Sequence, residues 1–281
     1  MSLTSIKEML KKAQKEKYAV GAFNVENMEM IQAVIGAAKE LHSPVIIQTT
    51  PSTLKYATPE LFFANVRILA DRCDIPIALH LDHGDSFELA VRAVRAGYSS
   101  VMIDGSKLSI QENIELTKSV VAVCHPCDIS VEGELGCIGG KEDNMIGEVR
   151  YTDPKEAAYF ASETKVDALA VAIGTAHGIY KDEPKLNLYR LTQIQEVTDV
   201  PLVLHGTSGV SDEVVKDCIL KGICKVNYAT DLRIAFSNAV KEFLRKDSEV
   251  FDPKKYNSYA RQKVKECVMQ RICVCNSVNR A

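Results

Sequence analysis

No apolar run in this chain of 281 residues approaches the roughly 18 residues that a membrane-crossing helix needs. The sequence therefore predicts no membrane span. Nor is there an excess of positive charge. The 34 Lys and Arg stand against 37 Asp and Glu for a net charge of −3, which offers nucleic acid no attracting field, so any phosphate has to be held locally. The nine cysteines are scattered and do not form the dense framework of a small secreted domain. Near the start, Lys7-Glu8-Met9-Leu10-Lys11-Lys12 mixes charges where a secretory leader would have an apolar core. These absences predict a cytoplasmic protein. No low-complexity tract, linker or composition break divides the chain, so a single domain is expected over residues 1–281. Cys124-His125-Pro126-Cys127 has the spacing of a redox or zinc pair but no second pair to complete a four-cysteine site. It reads as the end of a helix before the fifth strand, and Cys273 and Cys275 are read as equally plain.

What the chain does contain is one unit used repeatedly. Apolar or β-branched segments fall at residues 19–25, 44–49, 76–83, 100–105, 129–136, 168–174, 201–206 and 224–230. Between them, apolar residues recur at helical spacing, as in Met28, Ile31, Ile35 and Ala38, or in Phe87, Ala90, Val91 and Val94 ahead of Gly97. Continuous hydrophobicity suits strands covered on both faces, as in a parallel sheet. Eight such units predict an α/β fold, a (β/α)8 TIM barrel, with residues 252–281 forming an appended C-terminal helix.

In such a barrel the active site lies at the carboxyl ends of the strands. There the sequence places Asn24, Asp82, His83, Asp104, Glu132, Glu134, His177, His205 and Asn227. His83, His177 and His205 each follow an apolar run, and three imidazoles gathered at one end of a sheet match a zinc with its fourth position open. His80 lies deeper in its strand and reads as a supporting or core residue, while His42 and His125 read as surface groups. Asp82 and His83 are neighbours and diverge, so one can bind metal while the other handles protons. Glu132 and Glu134 share a strand face, where they would repel each other unless a cation or proton intervenes. With Asp104 they could hold a second metal, or they could be spent on hydrogen bonds to backbone and histidine. Residues 139–144 read as a polar loop with glycine hinges that could carry a catalytic acid or base, Glu142, into the site. Gly178 with Lys181, then Gly206, Thr207 and Ser208, then Asn227, Tyr228, Ala229 and Thr230 suit a phosphate, the last two groups at the usual phosphate position of the fold.

Five ordered segments carry a family resemblance: Leu79-His80-Leu81-Asp82-His83-Gly84, Val131-Glu132-Gly133-Glu134-Leu135-Gly136, Ala172-Ile173-Gly174-Thr175-Ala176-His177-Gly178, Leu204-His205-Gly206 and Lys225-Val226-Asn227. Together they resemble the class II, zinc-dependent fructose/tagatose-bisphosphate aldolases, and the ending Val274-Cys275-Asn276-Ser277-Val278-Asn279-Arg280 is similar to the tagatose enzymes. The resemblance implies zinc on His83, His177 and His205, with a monovalent cation, Na+ or K+, nearby. It implies Asp82 and Glu142 as proton-transfer residues, Asn227 as a further catalytic residue, and dihydroxyacetone phosphate held by Asn24, Gly178, Lys181, Gly206 to Ser208 and Asn227 to Thr230. It also implies a phosphorylated-sugar substrate and a homodimer or homotetramer. Tagatose 1,6-bisphosphate is the expected substrate, because Ala229 stands where fructose enzymes tend to have Asp or Asn. Gly84, where some tagatose enzymes have histidine, and Thr207-Ser208-Gly209, in place of their Ala-Ser-Asp, depart from that pattern. Fructose 1,6-bisphosphate and a phosphorylated keto-deoxy sugar acid are the alternatives within the same chemistry. A metal-dependent hydrolase and a non-catalytic accessory subunit are the alternatives outside it.

Overall fold

In a computed structural model, residues 3–142, 145–147, 150–178, 180 and 184–281 are described, with 140–142 and 145–147 described by their backbone only. The strands are β1 (Val20–Asn24), β2 (Val45–Thr49), β3 (Ile77–Gly84), β4 (Ser100–Ile103), β5 (Ser130–Leu135), β6 (Gly139–Glu142), β7 (Met145–Gly147), β8 (Ala168–Val171), β9 (Ala176–His177), β10 (Leu202–Leu204) and β11 (Ile223–Tyr228). Eight of them close into a parallel barrel in the order β1, β2, β3, β4, β5, β8, β10, β11, with β11 paired back to β1. The fold is the (β/α)8 barrel that the sequence predicts.

Strand alternation decides what each side of the barrel wall contains. Outward positions such as Phe23, Ile47, Leu79, Leu81, Val101, Val131, Leu169 and Val226 join the core shared with the helices. Inward positions at the amino-terminal end are small or branched: Val20, Ala22, Ile46, Ala78, Ala168, Ala170 and Val203. Helix α1 (Ile6–Glu16) lays Ile6, Met9, Leu10 and Ala13 against these residues and closes that end of the barrel. Farther along the same strands the inward residues become polar: Gln48, His80, Ser100, Glu132 and Lys225 are all fully buried. The apparently continuous hydrophobicity of the strands is therefore two different faces, one apolar throughout and one that changes from apolar to polar along the axis.

The outer layer consists of α2 (Met28–Glu40), α3 (Pro51–Tyr56), α4 (Pro59–Ala70), α5 (Phe87–Ala96), α6 (Ile110–Cys124), α7 (Pro154–Thr164), α8 (Leu188–Gln195), α9 (Asp212–Leu220), α10 (Thr230–Lys246) and α11 (Pro253–Val274). Their starts are written locally. Asn27, Ser86, Asp153, Asn187 and Asp252 accept from backbone N–H groups of the first turn, and Ser109 with Glu112 forms a reciprocal capping box. The final helix is stitched in rather than merely attached. Lys265 pairs with Glu40 of α2 at 2.6 Å, and the residues after α11 return to the wall, where Ala19 N–H donates to the Cys275 carbonyl at 2.9 Å.

Two elements differ from the sequence reading. The stretch at 139–144, expected as a loop, contributes β6, which pairs antiparallel with β7 and parallel with β9 in a separate three-stranded sheet. The segment 168–174 ends as a strand at Val171, so His177 does not end a barrel strand but lies on β9, paired to that sheet. Backbone pairing between the two excursions, rather than side-chain periodicity, creates this sheet.

Candidate active site

The site begins with an irregularity in β3. In a regular strand Asp82 and His83 would face opposite sides of the wall. Pairing with β4 shifts register between Leu81 and Gly84, and His83 adopts φ 47°. Such a bulge re-aims a side chain, and here it brings both residues to the barrel mouth. A left-handed backbone at a residue with a side chain costs about 1–3 kcal/mol. Gly84 completes the bulge, since a Cβ there would lie 2.5 Å from the Met102 carbonyl oxygen.

Three imidazoles converge at this end. Ring centroids of His83 lie 5.1 Å from His177 and 4.7 Å from His205. One nitrogen from each of the three lies within 4.8 Å of the others. Carboxylates set two of the rings. His83 Nδ1 is 3.0 Å from Asp104 Oδ2, whose other oxygen accepts from Ser106 N–H at 3.0 Å. His205 Nε2 is 3.0 Å from Glu132 Oε1. With those N–H groups donated to carboxylates, His83 Nε2 and His205 Nδ1, 3.0 Å apart, are the nitrogens turned toward the shared space. Glu134 Oε2 is 3.8 Å from His83 and 3.7 Å from His205, and it has no hydrogen bond among the described residues.

The electrostatics follow the same division. Burial holds His177 well below the ordinary imidazole range, reinforced by its two histidine neighbours, and it also lowers His205. Burial opposes charge on His83 too, but Asp82, Asp104 and Glu134 outweigh it and hold that ring well above the ordinary range. Glu134 is pushed well above the usual carboxylate range by burial and by the Asp104 charge. Glu132, despite burial, is held at about 2, chiefly by Lys225. Three nitrogen donors beside a buried carboxylate oxygen with no hydrogen bond are a donor set that fits zinc. In a second group, His83, Asp104 and Glu134, one ligand atom of each also lies within 4.8 Å of the others. Glu132, expected beside them, lies deeper and turns to Lys225 at 2.9 Å, an ion pair without hydrogen-bond geometry.

Asp82 is fixed from both sides. Asn24 Nδ2 donates to its Oδ2 at 2.8 Å and Asn227 Nδ2 to its Oδ1 at 3.1 Å, while Gln48 Nε2 donates to Asn24 Oδ1 at 2.9 Å. The carboxylate therefore keeps one orientation. Burial raises its pKa, but His83, His205 and Lys225 more than reverse that and hold it well below the usual range. The cleft above it is lined by Asn24, Asp82, His177, Gly178, Gly206, Thr207, Ser208, Asn227, Ala229 and Thr230. At Gly206, φ is 64° and a Cβ would meet the Ala176 carbonyl oxygen at 2.6 Å, so glycine is what lets β9 approach the loop after β10. Tyr180 ties the same two segments, accepting from Ala176 N–H at 2.6 Å and donating to the Gly206 carbonyl at 2.7 Å. The amino terminus of α10 opens onto this cleft at Thr230, a placement suited to an anion.

Several expected residues fall elsewhere. Tyr228, grouped with the phosphate-side residues, turns outward because Asn227 before it turns inward. It is fully buried, with its ring 5.6 Å from Phe23. Lys181, Asp143 and Asn144 lie outside the described residues, as does the side chain of Glu142. The strand that carries Glu142 is anchored near the site, since Gly140 of β6 is in register with His177 of β9. His125 lies in none of these groups; its Nε2 pairs with Asp167 at 2.9 Å. Sequence reasoning missed Gln48 and Lys225. The available signal is a polar residue inside each apolar run, at the same period-two phase as the polar inward positions of neighbouring strands.

A closed (β/α)8 barrel with imidazoles, carboxylates and an anion-suited cleft at the carboxyl ends of its strands is an enzyme architecture. The family model of class II fructose-bisphosphate aldolase matches residues 4–280, and the chain belongs to that family. It is similar to the YdjI aldolase from Escherichia coli K12, with 38% identity, 99% of each chain covered and a TM-score of 0.90. It is also similar to a protein from Coccidioides immitis provisionally assigned as a fructose-1,6-bisphosphate aldolase, with 30% identity, 97% of this chain and 96% of that one covered, and a TM-score of 0.88. The fructose-bisphosphate aldolase of Campylobacter jejuni shares the fold at 23% identity and a TM-score of 0.86, with 100% and 97% covered. The protein is thus a carbon–carbon lyase of a family that carries out aldol cleavage of ketose bisphosphates and is zinc-dependent in general. Among the described residues, no helix is long and apolar enough to cross a membrane.

Proposed function

We propose that this chain cleaves D-tagatose 1,6-bisphosphate to dihydroxyacetone phosphate and glyceraldehyde 3-phosphate, with zinc held by His83, His177 and His205. The observation that carries the metal assignment is the convergence of those three imidazoles, two of them oriented by carboxylates. Bound zinc supplies Lewis-acid stabilisation of negative charge developing on the ketose carbonyl oxygen.

The chain's own residues supply the rest. Asp82, ionised and fixed by Asn24 and Asn227, accepts the proton of the C4 hydroxyl as the C3–C4 bond breaks, which leaves the aldehyde product. Glu142, on the strand paired beside His177, exchanges the proton on the dihydroxyacetone phosphate carbon. Gly178, Gly206 to Ser208 and Thr230 line the cleft where the phosphate of that product is held, with Lys181 as a further donor.

Support for tagatose is Ala229, which lines the cleft with Asp82 and Asn227 and offers the substrate chain no hydrogen bond from its side chain. Tagatose and fructose bisphosphates differ in configuration at C4, the carbon whose hydroxyl Asp82 deprotonates. One hydrogen bond gained or lost there is worth about 1–3 kcal/mol, a preference rather than an exclusion. An assay of the purified chain on both sugars, coupled to triose phosphate release, is expected to give higher kcat/KM for tagatose. Ala229→Asp should shift the ratio toward fructose. A wild-type preference for fructose would sink the substrate assignment and leave the lyase chemistry standing.

A further inference from the structure

Lys225 is fully buried inside the barrel on β11, and apart from its charge acting on Asp82 the chemistry above gives it no role. A buried ammonium is costly and is kept only where an opposite charge compensates it. Other strands show that the interior can be filled without charge, with Ala168 and Ala170 on β8 and Val203 on β10. Among the described residues, the carboxylate within ion-pair distance of Lys225 is Glu132, across the barrel at 2.9 Å, with both side chains wholly buried. The two oxygens of Glu132 face different partners. Oε2 meets Lys225, with His80 Nε2 at 3.7 Å, and Oε1 meets His205 Nε2 at 3.0 Å.

We infer that Lys225 is a positioning residue for the metal centre, acting through Glu132 to hold the His205 imidazole with Nδ1 turned toward His83 and His177. The ammonium compensates the carboxylate and pins one of its oxygens, so the other is left at a fixed place to accept from His205 Nε2–H. A ligand imidazole oriented in this way binds metal more tightly than one left to rotate. Lys225 is not among the residues that line the cleft, and its ion pair among the described residues is with Glu132, so its effect on His205 is expected to pass through that carboxylate.

This inference rests on the proposed zinc assignment, and the test separates the two. Zinc affinity is measured by competition with a chromophoric chelator, and the visible absorption of the cobalt-loaded protein reports ligand geometry. Lys225→Met is expected to weaken zinc binding by about 10–100-fold, the usual loss on removing an outer partner of a ligand histidine, and to alter the cobalt spectrum. Glu132→Gln should weaken binding similarly, and the double variant Lys225→Met/Glu132→Gln should bind no more weakly than Glu132→Gln alone. Unchanged affinity and spectrum in folded Lys225→Met would overturn the inference. So would a further tenfold loss in the double variant, which would mean that Lys225 does not act through Glu132. If Lys225→Met does not fold, Glu132→Gln and the double variant carry the comparison, because removing both members of a buried ion pair is tolerated better than removing one. A wild-type chain that binds no zinc, or keeps full affinity after His83→Ala, refutes the metal assignment itself.

Discussion

The two ends of this barrel are made from the same strands and have opposite chemistry. At the amino-terminal end Val20, Ala22, Ile46, Ala78, Ala168 and Val203 meet the apolar face of α1 in apolar packing. At the carboxyl end Asp82, Asp104, Glu132, Glu134 and three histidines are crowded together, most of them buried. The contrast sharpens between two residues of one strand. Glu132 is held at about 2 by Lys225, whereas Glu134, two residues nearer the mouth, is pushed well above the usual carboxylate range by burial and Asp104. Position along the axis, not residue type, separates a carboxylate whose burial is fully offset from one whose burial is offset only in part. The second is beside the histidines, where a cation would relieve it.

The largest effect is expected at the mouth. Exhaustive chelation should abolish cleavage and leave the barrel folded, with activity returning on addition of zinc or cobalt. Full activity in the metal-free protein would remove the basis of the zinc assignment. Next in size, Asp82→Ala should slow turnover by about two to four orders of magnitude, the scale of a lost general acid or base, with metal content close to that of the wild type. Saturating-substrate kinetics beside metal analysis check this, and near-normal turnover would assign the proton to another group.

The floor should answer in stability instead. Leu10 is fully buried between α1 and the barrel interior, so Leu10→Ala should cost about 2–5 kcal/mol of stability. Zinc affinity should stay at the wild-type value. A large loss of affinity in that variant would show that the two ends are coupled through the barrel.

The smallest effect concerns Glu134 and has the opposite sign. A carboxyl group whose folded pKa is raised destabilises the fold once pH exceeds its unfolded value, near about 4.3. The cost grows as pH climbs toward the folded value. Glu134→Gln should therefore raise the Tm of the metal-free protein at pH 8 and have little effect at pH 4. Each kcal/mol recovered corresponds to about 2–4 °C in a chain of this size class. A variant less stable than wild type at pH 8 would mean that the Glu134 charge is compensated after all.

Much of this is legible in the sequence. The repeat of apolar strand and amphipathic helix announced the barrel, because a parallel sheet covered on both faces has to be apolar in short continuous runs. Asp82, His83, His205 and Asn227 were legible as strand-end residues because the fold puts its chemistry there. Less legible are Gln48 and Lys225, polar residues within apolar runs whose partners lie on other strands. Tyr228 misled because adjacency in sequence to Asn227 is the opposite of adjacency in space on a strand.

Local sequence sets the period of the elements, their caps and the residue types at the strand ends, since propensity, alternation and capping act within a few residues of chain. Tertiary structure decided the rest. The bulge that turns His83 beside Asp82 needs the register of β3 against β4, and the placement of His177 needs β9 to pair with β6. The difference between Glu132 and Glu134 needs Lys225, delivered by β11 from the other side of the barrel. Coulomb energy and desolvation depend on distance through space, and the chain brings residues 93 apart in sequence, 132 and 225, to 2.9 Å only by closing the barrel.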